Sequence, residues 1–439
     1  MIVGGGYDAC YENPRFVLGT ANTEEFKIKN AAGVVTDSCK KNQAIGNAVY
    51  IINANTGALI WWASNSGADT NIASMKHSIV SRISTLDRDG DGLVDNLYFG
   101  DLGGQVFRID LNNAVGASSL GVRAVRIADL ATKTDGAAIT NGDQPRFYQP
   151  PTLTVHDEGK NTFLVIGVAS GDRSTPLDVS PEIGREKIKP FTALTGRLTN
   201  KVYGIIDRDI ADVDLMKSTM VLKSENIKLN QMINNPQTNT TKKIANLFFP
   251  YSSIATWQGH GWYRSLSSGP NGVEIQTAKM TNARGEEVTT TRTPGGLKAF
   301  EEEPAAITGR LLVPVYDPQG TGIVDRSNPC QPRVIGETHV QQFCLPYGAC
   351  LNDDGYVNAD KEQSTGFQML NGRNQNVLGA GIRGLSMGPA DANGATPEKG
   401  SSCGALTILG LQSGKGRWEC SKILNPTRWY EKYVEAKNN

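Results

Sequence analysis

The stretch from Leu86 to Leu111 reads LDRDGDGLVDNLYFGDLGGQVFRIDL and decides the fold of the region around it. Two runs rich in β-branched and aromatic residues, 94–99 and 105–111, are separated by the turn sequence GDLGG. Runs of this kind with a glycine-rich turn between them predict two paired β-strands. The acidic residues in front of them therefore lie in a β-hairpin setting and are not flanked by helices.

Four aspartates are crowded into the nine residues 87–95, at positions 1, 3, 5 and 9, and a glycine stands at position 6, where a calcium loop turns back. Carboxylates held this close repel one another by about 1 kcal/mol per pair at 4 Å in water. A hard divalent cation removes that repulsion, and Ca²⁺ accepts about six to eight oxygen ligands. The loop lacks the glutamate that the EF-hand consensus has at position 12. We predict a calcium site whose ligands are Asp87, Asp89, Asp91, Asp95 and the backbone carbonyl of Leu93.

Composition narrows the classes of function. The 439 residues include 44 basic and 44 acidic side chains and no basic block, which argues against nucleic acid or an anionic membrane surface as the main partner. No apolar run approaches the ~20 residues that a membrane-spanning helix needs. The start, MIVGGGYD, has no signal-peptide pattern, and Met1 stands directly against strand sequence. We expect residues 1–439 to form a single domain that is a C-terminal fragment of a longer protein.

The seven cysteines favour an oxidising compartment. Three local disulfides would leave one thiol over, and the sequence leaves their connectivity open. Their spacing fits no tetrahedral zinc pattern, and His339 beside Cys344 is the only nearby imidazole. Zinc is therefore not expected.

A strand–turn–strand unit recurs along the chain. Residues 47–62 read NAVYIINANTGALIWW, which resembles the repeat of quinoprotein-type β-propellers, with a turn ending in Thr-Gly and a tryptophan that packs between blades. Similar units that cannot bury their faces alone indicate an all-β fold of blades stacked around an axis. The outline returns at 95–111, 152–169, 201–207, 309–316 and 405–414.

The spacing of these units is irregular, which indicates long insertions between strands. The best candidates are the polar stretches 230–243, 282–296 and 352–364. Residues 209–233 contain enough Met, Leu, Lys and Glu to predict a short helix within one insertion.

A series of motifs, in this order, looks like the C-terminal domain of the PilC/PilY family of type IV pilus tip-associated adhesins and biogenesis proteins. The calcium loop followed by GDLGG is the most specific of them. The others are IVGGGYD (2–8), NANTGALIWW (53–62), QPRFYQPPTL (144–153), HGWYRSL (260–266), FEEEPAAITGRLLVPVYDP (300–318), FCLPYGAC (343–350) and TRWYEK (427–432).

This resemblance implies a modified seven-bladed β-propeller with one bound Ca²⁺ in a blade loop, held by the five residues named above. It also implies a role in pilus extension against retraction, twitching motility and surface attachment. The expected partners are pilins and host-surface molecules. The expected location is the pilus tip, the cell surface or the periplasm and outer membrane of a Gram-negative bacterium. Some members carry an Arg-Gly-Asp triplet, which is absent here.

The alternative function is a quinoprotein dehydrogenase, which uses a propeller to hold pyrroloquinoline quinone and calcium. Those enzymes typically carry a disulfide between adjacent cysteines, and no two cysteines are adjacent here. The acidic loop also supplies all its ligands locally. We therefore expect no enzyme, and we expect Trp61 and Trp62 to serve blade packing.

The weaker motifs are interpreted as a repeat-related turn, a solvated loop and chance matches, and not as sites. Residues 317–325 repeat the calcium-loop spacing but with Gln319 and Thr321 in place of two carboxylates. Asp353, Asp354 and Asp360 form a looser acidic loop. Residues 379–384 match GxGxxG and 384–388 match GxSxG, yet the sequence after them does not predict the helix that either motif requires.

Overall fold

The computed structural model describes residues 1–12, 16–19, 27–29, 31–39, 42–132, 144–159, 161–174, 176, 200–217, 219–249, 259–266, 277–281, 287–291, 296–299, 303–307, 309–318, 336–363, 365, 369–370, 373–374, 377–385, 387–389, 406–408 and 417–418. Strands dominate these residues. The α-helices among them are single turns, α1 (Ala245–Phe248) and α2 (Ala359–Glu362). Short 3-10 helices occur at Ala9–Glu12, Ala117–Ser119, Leu229–Gln231 and Pro236–Thr238.

The strands follow one another along the whole described chain. In order they are β1 (Ile2–Gly4), β2 (Lys27–Lys29), β3 (Val35–Ser38), β4 (Ala48–Ile52), β5 (Leu59–Ser64), β6 (Thr70–Asn71), β7 (Ser84–Leu86), β8 (Asn96–Gly100), β9 (Gln105–Leu111), β10 (Gly121–Asp129), β11 (Thr152–Glu158), β12 (Asn161–Ala169), β13 (Lys201–Asp207), β14 (Ile227–Lys228), β15 (Ile233–Asn234), β16 (Gly261–Ser265), β17 (Thr277–Thr281), β18 (Glu287–Thr291), β19 (Ala305–Ile307), β20 (Arg310–Asp317), β21 (Glu337–Cys344), β22 (Met369–Leu370), β23 (Arg373–Asn374), β24 (Val377–Ala380), β25 (Met387–Pro389), β26 (Leu406–Ile408) and β27 (Arg417–Trp418).

Four larger sheets form from strands that are near neighbours in the chain. Sheet I has the order β1-β4-β5-β6, sheet II β14-β10-β9-β8-β7, sheet III β11-β12-β13-β16-β15 and sheet IV β19-β20-β21-β24. The long strands within each sheet pair antiparallel, whereas the short strands β6, β14 and β15 add in parallel at one edge. Smaller sheets are β2-β3, β17-β18, β22-β23 and β25-β26-β27.

Sheet II is buried on both faces, and the alternation of side chains along β9 shows why. Every residue of β9 is buried. Phe107 and Ile109 join the core shared with sheet I, whereas Val106 joins the core shared with sheet III. Successive side chains of a strand point to opposite faces, so a strand that is buried along its whole length needs a neighbouring sheet on each side.

Sheet III repeats this arrangement. Leu164 and Ile166 of β12 pack toward sheet II, whereas Phe163 and Val165 pack toward sheet IV. Sheets I to IV therefore stack face to face in chain order, with one apolar core between each pair. Trp61 belongs to the core between sheets I and II, where a Cβ on Gly121 of β10 would meet its ring at 2.7 Å.

Two of the quoted motifs meet between sheets III and IV. Trp262 of β16 donates from Nε1 to the Pro346 carbonyl at 2.7 Å, and Arg264 donates to the Gly348 carbonyl at 3.0 Å. A Cβ on Gly348 would meet the Trp262 ring at 2.3 Å, so only glycine permits this approach. The HGWYRSL strand thus holds the FCLPYGAC loop in place.

Several sequence predictions can be compared with this architecture. The all-β class is confirmed. Within the described segments the sheets are separate, and no closed ring of sheets is seen. The predicted packing role of Trp61 is confirmed, and Trp62 stacks on Tyr50 with ring centroids 5.9 Å apart. No helix in the described part of the chain is long and apolar enough to cross a membrane.

The helix predicted within 209–233 is wrong. The described residues of that stretch form successive turns, followed by β14 and a single 3-10 turn. Aspartate side chains cap these turns: Asp207 accepts from the Asp209 amide at 3.0 Å, and Asp212 accepts from the Asp214 amide at 3.0 Å. Such local bonds offer the backbone an alternative to a helix.

The three predicted insertions are only partly irregular. Residues 230–243 include β15 and a 3-10 turn, and 352–364 include α2. Residues 282–296 include β18, which forms a hairpin with β17; 282–286 and 292–295 lie outside the described residues.

Two disulfides are present in the described part of the chain, Cys10–Cys39 and Cys344–Cys350. Cys344, the cysteine near His339, is joined to Cys350. Cys330, Cys403 and Cys420 lie outside the described residues.

Replacing Trp262 by phenylalanine is expected to lower the free energy of unfolding by about 2 kcal/mol or more. The change deprives the Pro346 carbonyl of its donor and opens a cavity between sheets III and IV. Urea unfolding measures the effect. The matched control is Trp62→Phe, which keeps an aromatic ring over Tyr50 at a partly exposed position and should cost less than about 1 kcal/mol. Equal losses in the two variants would show that the Trp262 contacts with the 343–350 loop do not stabilise the fold.

Candidate metal centre

The acidic loop joins β7 to β8 at one edge of sheet II. Asp87, Asp89 and Asp95 each direct a carboxylate oxygen to one place, and these three oxygens lie within 4.8 Å of one another. Asp87 and Asp89 are exposed, whereas Asp95 is only 7% exposed. The structure therefore has an acidic cluster that could hold a metal ion, and its oxygen donors are those that hard cations such as Ca²⁺ prefer.

The backbone of the loop is organised by its first aspartate. Asp87 accepts from the Gly90 amide at 2.7 Å and from the Gly92 amide at 2.8 Å. Both glycines have positive φ, 78° and 88°, a conformation that other residues adopt only with strain. The glycines at 90 and 92 thus allow one carboxylate, that of Asp87, to accept from two backbone amides of the loop.

The other two predicted ligands lie outside the group of three. Asp91 accepts from the Leu93 amide at 2.7 Å, and its own amide donates to Asp89 at 3.2 Å. Leu93 is 50% exposed, and its predicted ligand atom is the backbone carbonyl oxygen. Coordination by Asp91 and by the Leu93 carbonyl remains a prediction.

Asp95 anchors the loop to the sheet. Its amide donates to the Leu86 carbonyl at 2.9 Å, and its carbonyl accepts from the Leu111 amide at 2.8 Å. Its carboxylate accepts from the Arg88 amide at 2.7 Å and from the Asn113 side chain at 3.3 Å. These contacts fix the position of one carboxylate with respect to β7, β8 and β9.

Sequence reasoning missed Arg88 and Asn113. Arg88 lies between two of the clustered aspartates, and its guanidinium reaches away from them to the carbonyls of Ile210 at 3.4 Å and Asp212 at 3.1 Å. Its basic character within an acidic loop was the only signal that the sequence offered. The partner residues are more than a hundred positions away, so the spacing of the motif could not indicate them.

A buried ionic network lies behind the loop, between sheets II and III. Arg108 of β9 donates to both oxygens of Asp207 at 2.9 and 2.7 Å and to Asp110 at 2.7 and 3.2 Å. Tyr98 donates to Asp207 at 2.9 Å, and Asn96 donates to Asp110 at 2.8 Å. All five side chains are completely buried. A charge in such a place is tolerated only when it is paired and hydrogen-bonded.

The pKa values in the network follow from burial and pairing. Burial lowers the pKa of Arg108, but Asp207 and Asp110 raise it more, so it ends well above its usual range. Burial raises the pKa of Asp110, and Arg108 opposes this effect only in part. Burial also raises the pKa of Tyr98 well above its ordinary value, and Asp207 adds to that rise. The network therefore keeps Arg108 charged and Tyr98 neutral.

Asp101 of the GDLGG turn has a structural role. Its Oδ1 accepts from the amides of Gly103 and Gln105, each at 2.9 Å. A Cβ on Gly103 would meet the His77 ring at 2.2 Å, so glycine is required there by close packing. Burial raises the pKa of Asp101 from 3.8 to about 8, although the two amides lower it.

Where the structure describes them, the weaker motifs show no sign of a site. Asp317 is buried at the end of β20, and 319–325 lie outside the described residues. Asp353, Asp354 and Asp360 are exposed and belong to no metal-like group in the described segments. Residues 377–380 form β24 and 382–385 are not helical, so the helix required by the glycine motif is missing where the chain is described.

Comparison with known proteins gives a similarity to a solved structure. No protein-family model matches the chain, and no curated protein matches it. Among solved structures, the chain is similar to the crystal structure of the Pseudomonas aeruginosa PilY1 C-terminal domain, with a TM-score of 0.44 and 15% sequence identity. The similarity covers 84% of this chain and 66% of that one, so the chain spans about two thirds of that structure. That structure is a domain of the kind that the motif series resembles.

Replacing Arg108 by methionine is expected to reduce the free energy of unfolding by about 3–5 kcal/mol, because Asp110 and Asp207 would remain buried without their cation. Chemical denaturation followed by circular dichroism measures the loss. Arg82→Met is the matched control: its ion pair with Glu303 is 74% and 45% exposed, so we expect at most about 1 kcal/mol. An unchanged free energy of unfolding in Arg108→Met would show that the network does not stabilise the fold.

Asp101→Asn is expected to change how stability depends on pH. A carboxyl whose pKa is raised on folding favours the folded state below its unfolded pKa, and this contribution is lost as pH rises from about 4 to about 8. Asparagine keeps the acceptor for the two turn amides and does not ionise. The variant should therefore gain stability over the parent protein steadily through this range, as measured by melting temperature at several pH values. The exposed Asp353→Asn serves as control, and parallel curves for Asp101→Asn and the parent protein would contradict this prediction.

Proposed function

We propose that this chain is a calcium-binding domain of a type IV pilus biogenesis and tip-adhesin protein that acts through protein contacts. The observation that carries the proposal is the Asp87–Asp95 loop, directly followed by the strand–GDLGG–strand unit. The series of motifs in the sequence supports the pilus assignment, since they occur in the order typical of the PilC/PilY family. Extension against retraction of pili, twitching motility and surface attachment are the processes in which the domain would take part.

Calcium would be held by Asp87, Asp89 and Asp95, and Asp91 and the Leu93 carbonyl would supply further oxygens. When bound, the ion would neutralise carboxylates that otherwise repel one another. The donor chemistry favours calcium over zinc or copper, because no nitrogen or sulfur ligand belongs to the cluster. Ordering of the loop is the expected consequence.

We further propose that sheets I to IV are consecutive blades of a modified seven-bladed propeller. Support comes from their antiparallel strands, from the apolar core between each consecutive pair, and from Trp61 between sheets I and II. Blades of a propeller are stacked in this way around an axis. An experimental structure in which these four sheets do not follow one another around a common axis would contradict the arrangement.

A non-enzymatic role fits the local character of the metal loop. The loop draws its carboxylates from nine consecutive residues, and no pair of adjacent cysteines exists to lie over a quinone. Added pyrroloquinoline quinone should therefore elute separately from the protein in gel filtration. Retention of the quinone absorbance with the protein would favour the dehydrogenase alternative.

The proposed partners are pilin subunits and host-surface molecules. The proposed location is the pilus tip, the cell surface or the periplasm and outer membrane of a Gram-negative bacterium. The disulfides Cys10–Cys39 and Cys344–Cys350 support an oxidising location. The equal numbers of acidic and basic residues argue against a nucleic-acid partner.

Asp89→Asn is expected to weaken calcium binding by about tenfold or more, because the affinity of calcium loops depends on the number of charged ligands. The substitution keeps the shape of the side chain and an acceptor for the Asp91 amide. Isothermal titration calorimetry with CaCl₂ measures the affinity. Asp353→Asn, which removes an exposed carboxylate outside the cluster, should bind calcium as the parent protein does. No calcium binding by the parent protein at millimolar concentrations would refute the site.

The cellular role is tested in the bacterium that carries this chain. Deletion of the segment encoding it should reduce surface pili and twitching motility, and the full-length gene should restore both. The Asp89→Asn allele separates the two parts of the proposal: motility that is intact despite lost calcium binding would show that pilus function does not depend on the ion. Normal pili and motility after deletion would overturn the pilus assignment itself.

A further inference from the structure

A long connection, residues 208–228, leaves sheet III after β13 and crosses to the edge of sheet II. We call it the strap; residue 218 lies outside its described part. Its last two residues form β14, which pairs in parallel with Ala128 and Asp129 of β10. After the strap the chain returns to sheet III, where β15 pairs with β16. It therefore covers an edge of sheet II that would otherwise present unpaired backbone groups.

Two arginines of sheet II donate hydrogen bonds to the strap, one to a backbone carbonyl and one to a side chain. Arg123 donates to the Lys217 carbonyl, and Arg126 donates to the Asn226 side chain at 2.8 Å. The Asn226 amide in turn donates to the Arg126 carbonyl at 2.8 Å. At its start, Asp209 accepts from the amides of Lys223 at 2.8 Å and Ser224 at 3.0 Å, which folds the strap back on itself.

One anchor of the strap comes from the metal loop. The Arg88 guanidinium donates to the Ile210 and Asp212 carbonyls, whereas the Arg88 amide donates to the carboxylate of Asp95. The same residue therefore contacts a clustered carboxylate through its backbone and the strap through its side chain. Arg88 is half-buried between the loop and the strap.

We propose that the strap is the element that responds to the metal loop, and that Arg88 couples the two. The inference rests on the proposed calcium site. An ion that orders residues 87–95 restricts the Arg88 backbone in advance, so less conformational entropy is lost when its guanidinium binds the strap. Calcium then favours the docked strap, and by linkage the docked strap raises calcium affinity by the same factor.

The test measures hydrogen exchange of strap amides with CaCl₂ and with EDTA, in the parent protein and in two variants. Arg88→Ala removes the guanidinium but keeps the amide that bonds Asp95. Arg123→Ala is the matched control, since it removes a strap anchor that does not belong to the loop. Calorimetry on the same samples gives calcium affinity, and circular dichroism confirms that each variant is folded. Amides of β20 in sheet IV serve as an internal reference.

In the parent protein calcium should slow exchange of the strap amides by about three- to tenfold, the range expected from one or two hydrogen bonds. Arg88→Ala should lose this calcium dependence and bind calcium more weakly by a similar factor. Arg123→Ala should exchange faster in both conditions with the calcium effect retained.

Two results would overturn the inference in distinguishable ways. If calcium binds but strap exchange does not respond, or if Arg88→Ala responds as the parent protein does, the coupling is wrong and the calcium site stands. If calorimetry detects no calcium binding, the proposed calcium site fails and the coupling fails with it.

Discussion

The Arg108 guanidinium is held between two sheets, and the surrounding structure depends on how its charge is paired. Asp110 neutralises it from the same strand and Asp207 from the next sheet, with Tyr98 completing the hydrogen bonds. Because sheet II is buried on both faces, an unpaired cation there would be strongly destabilising. The pairing therefore fixes how sheets II and III lie against each other, in a way that apolar contacts alone would not specify.

The same network stands next to both elements of the proposed calcium response. Asp110 precedes Leu111, whose amide bonds the Asp95 carbonyl at the end of the metal loop. Asp207 accepts from the amide of Asp209, the second residue of the strap. The loop and the strap are thus each hydrogen-bonded at, or next to, an aspartate of this network.

The motifs that resemble the pilus family are mainly packing devices in this structure. HGWYRSL donates hydrogen bonds to the FCLPYGAC loop, which the Cys344–Cys350 disulfide closes. QPRFYQ contributes Arg146, which donates to the Tyr11 carbonyl at 2.9 Å and so holds the N-terminal segment. In the described residues the aspartate loop is the place where exposed carboxylate oxygens cluster closely enough for a metal ion. The chemistry of the domain is accordingly expected at that edge of sheet II.

Local spacing within the sequence was enough to determine the all-β class, the β8–β9 hairpin and the acidic loop. Two-residue alternation and Asp-Gly turns act over a few residues, and their physical effect is the same in any fold. Only the tertiary structure decided the Arg108–Asp207 pair, the contact of Arg88 with the strap and the hydrogen bond from Trp262 to the Pro346 carbonyl. Their partners lie 99, 122 and 84 residues apart, and no local pattern encodes which distant carboxylate or carbonyl will be near. The helix predicted for 209–233 failed for the same reason, because its apolar residues are divided between turns and β14 that pack on another sheet.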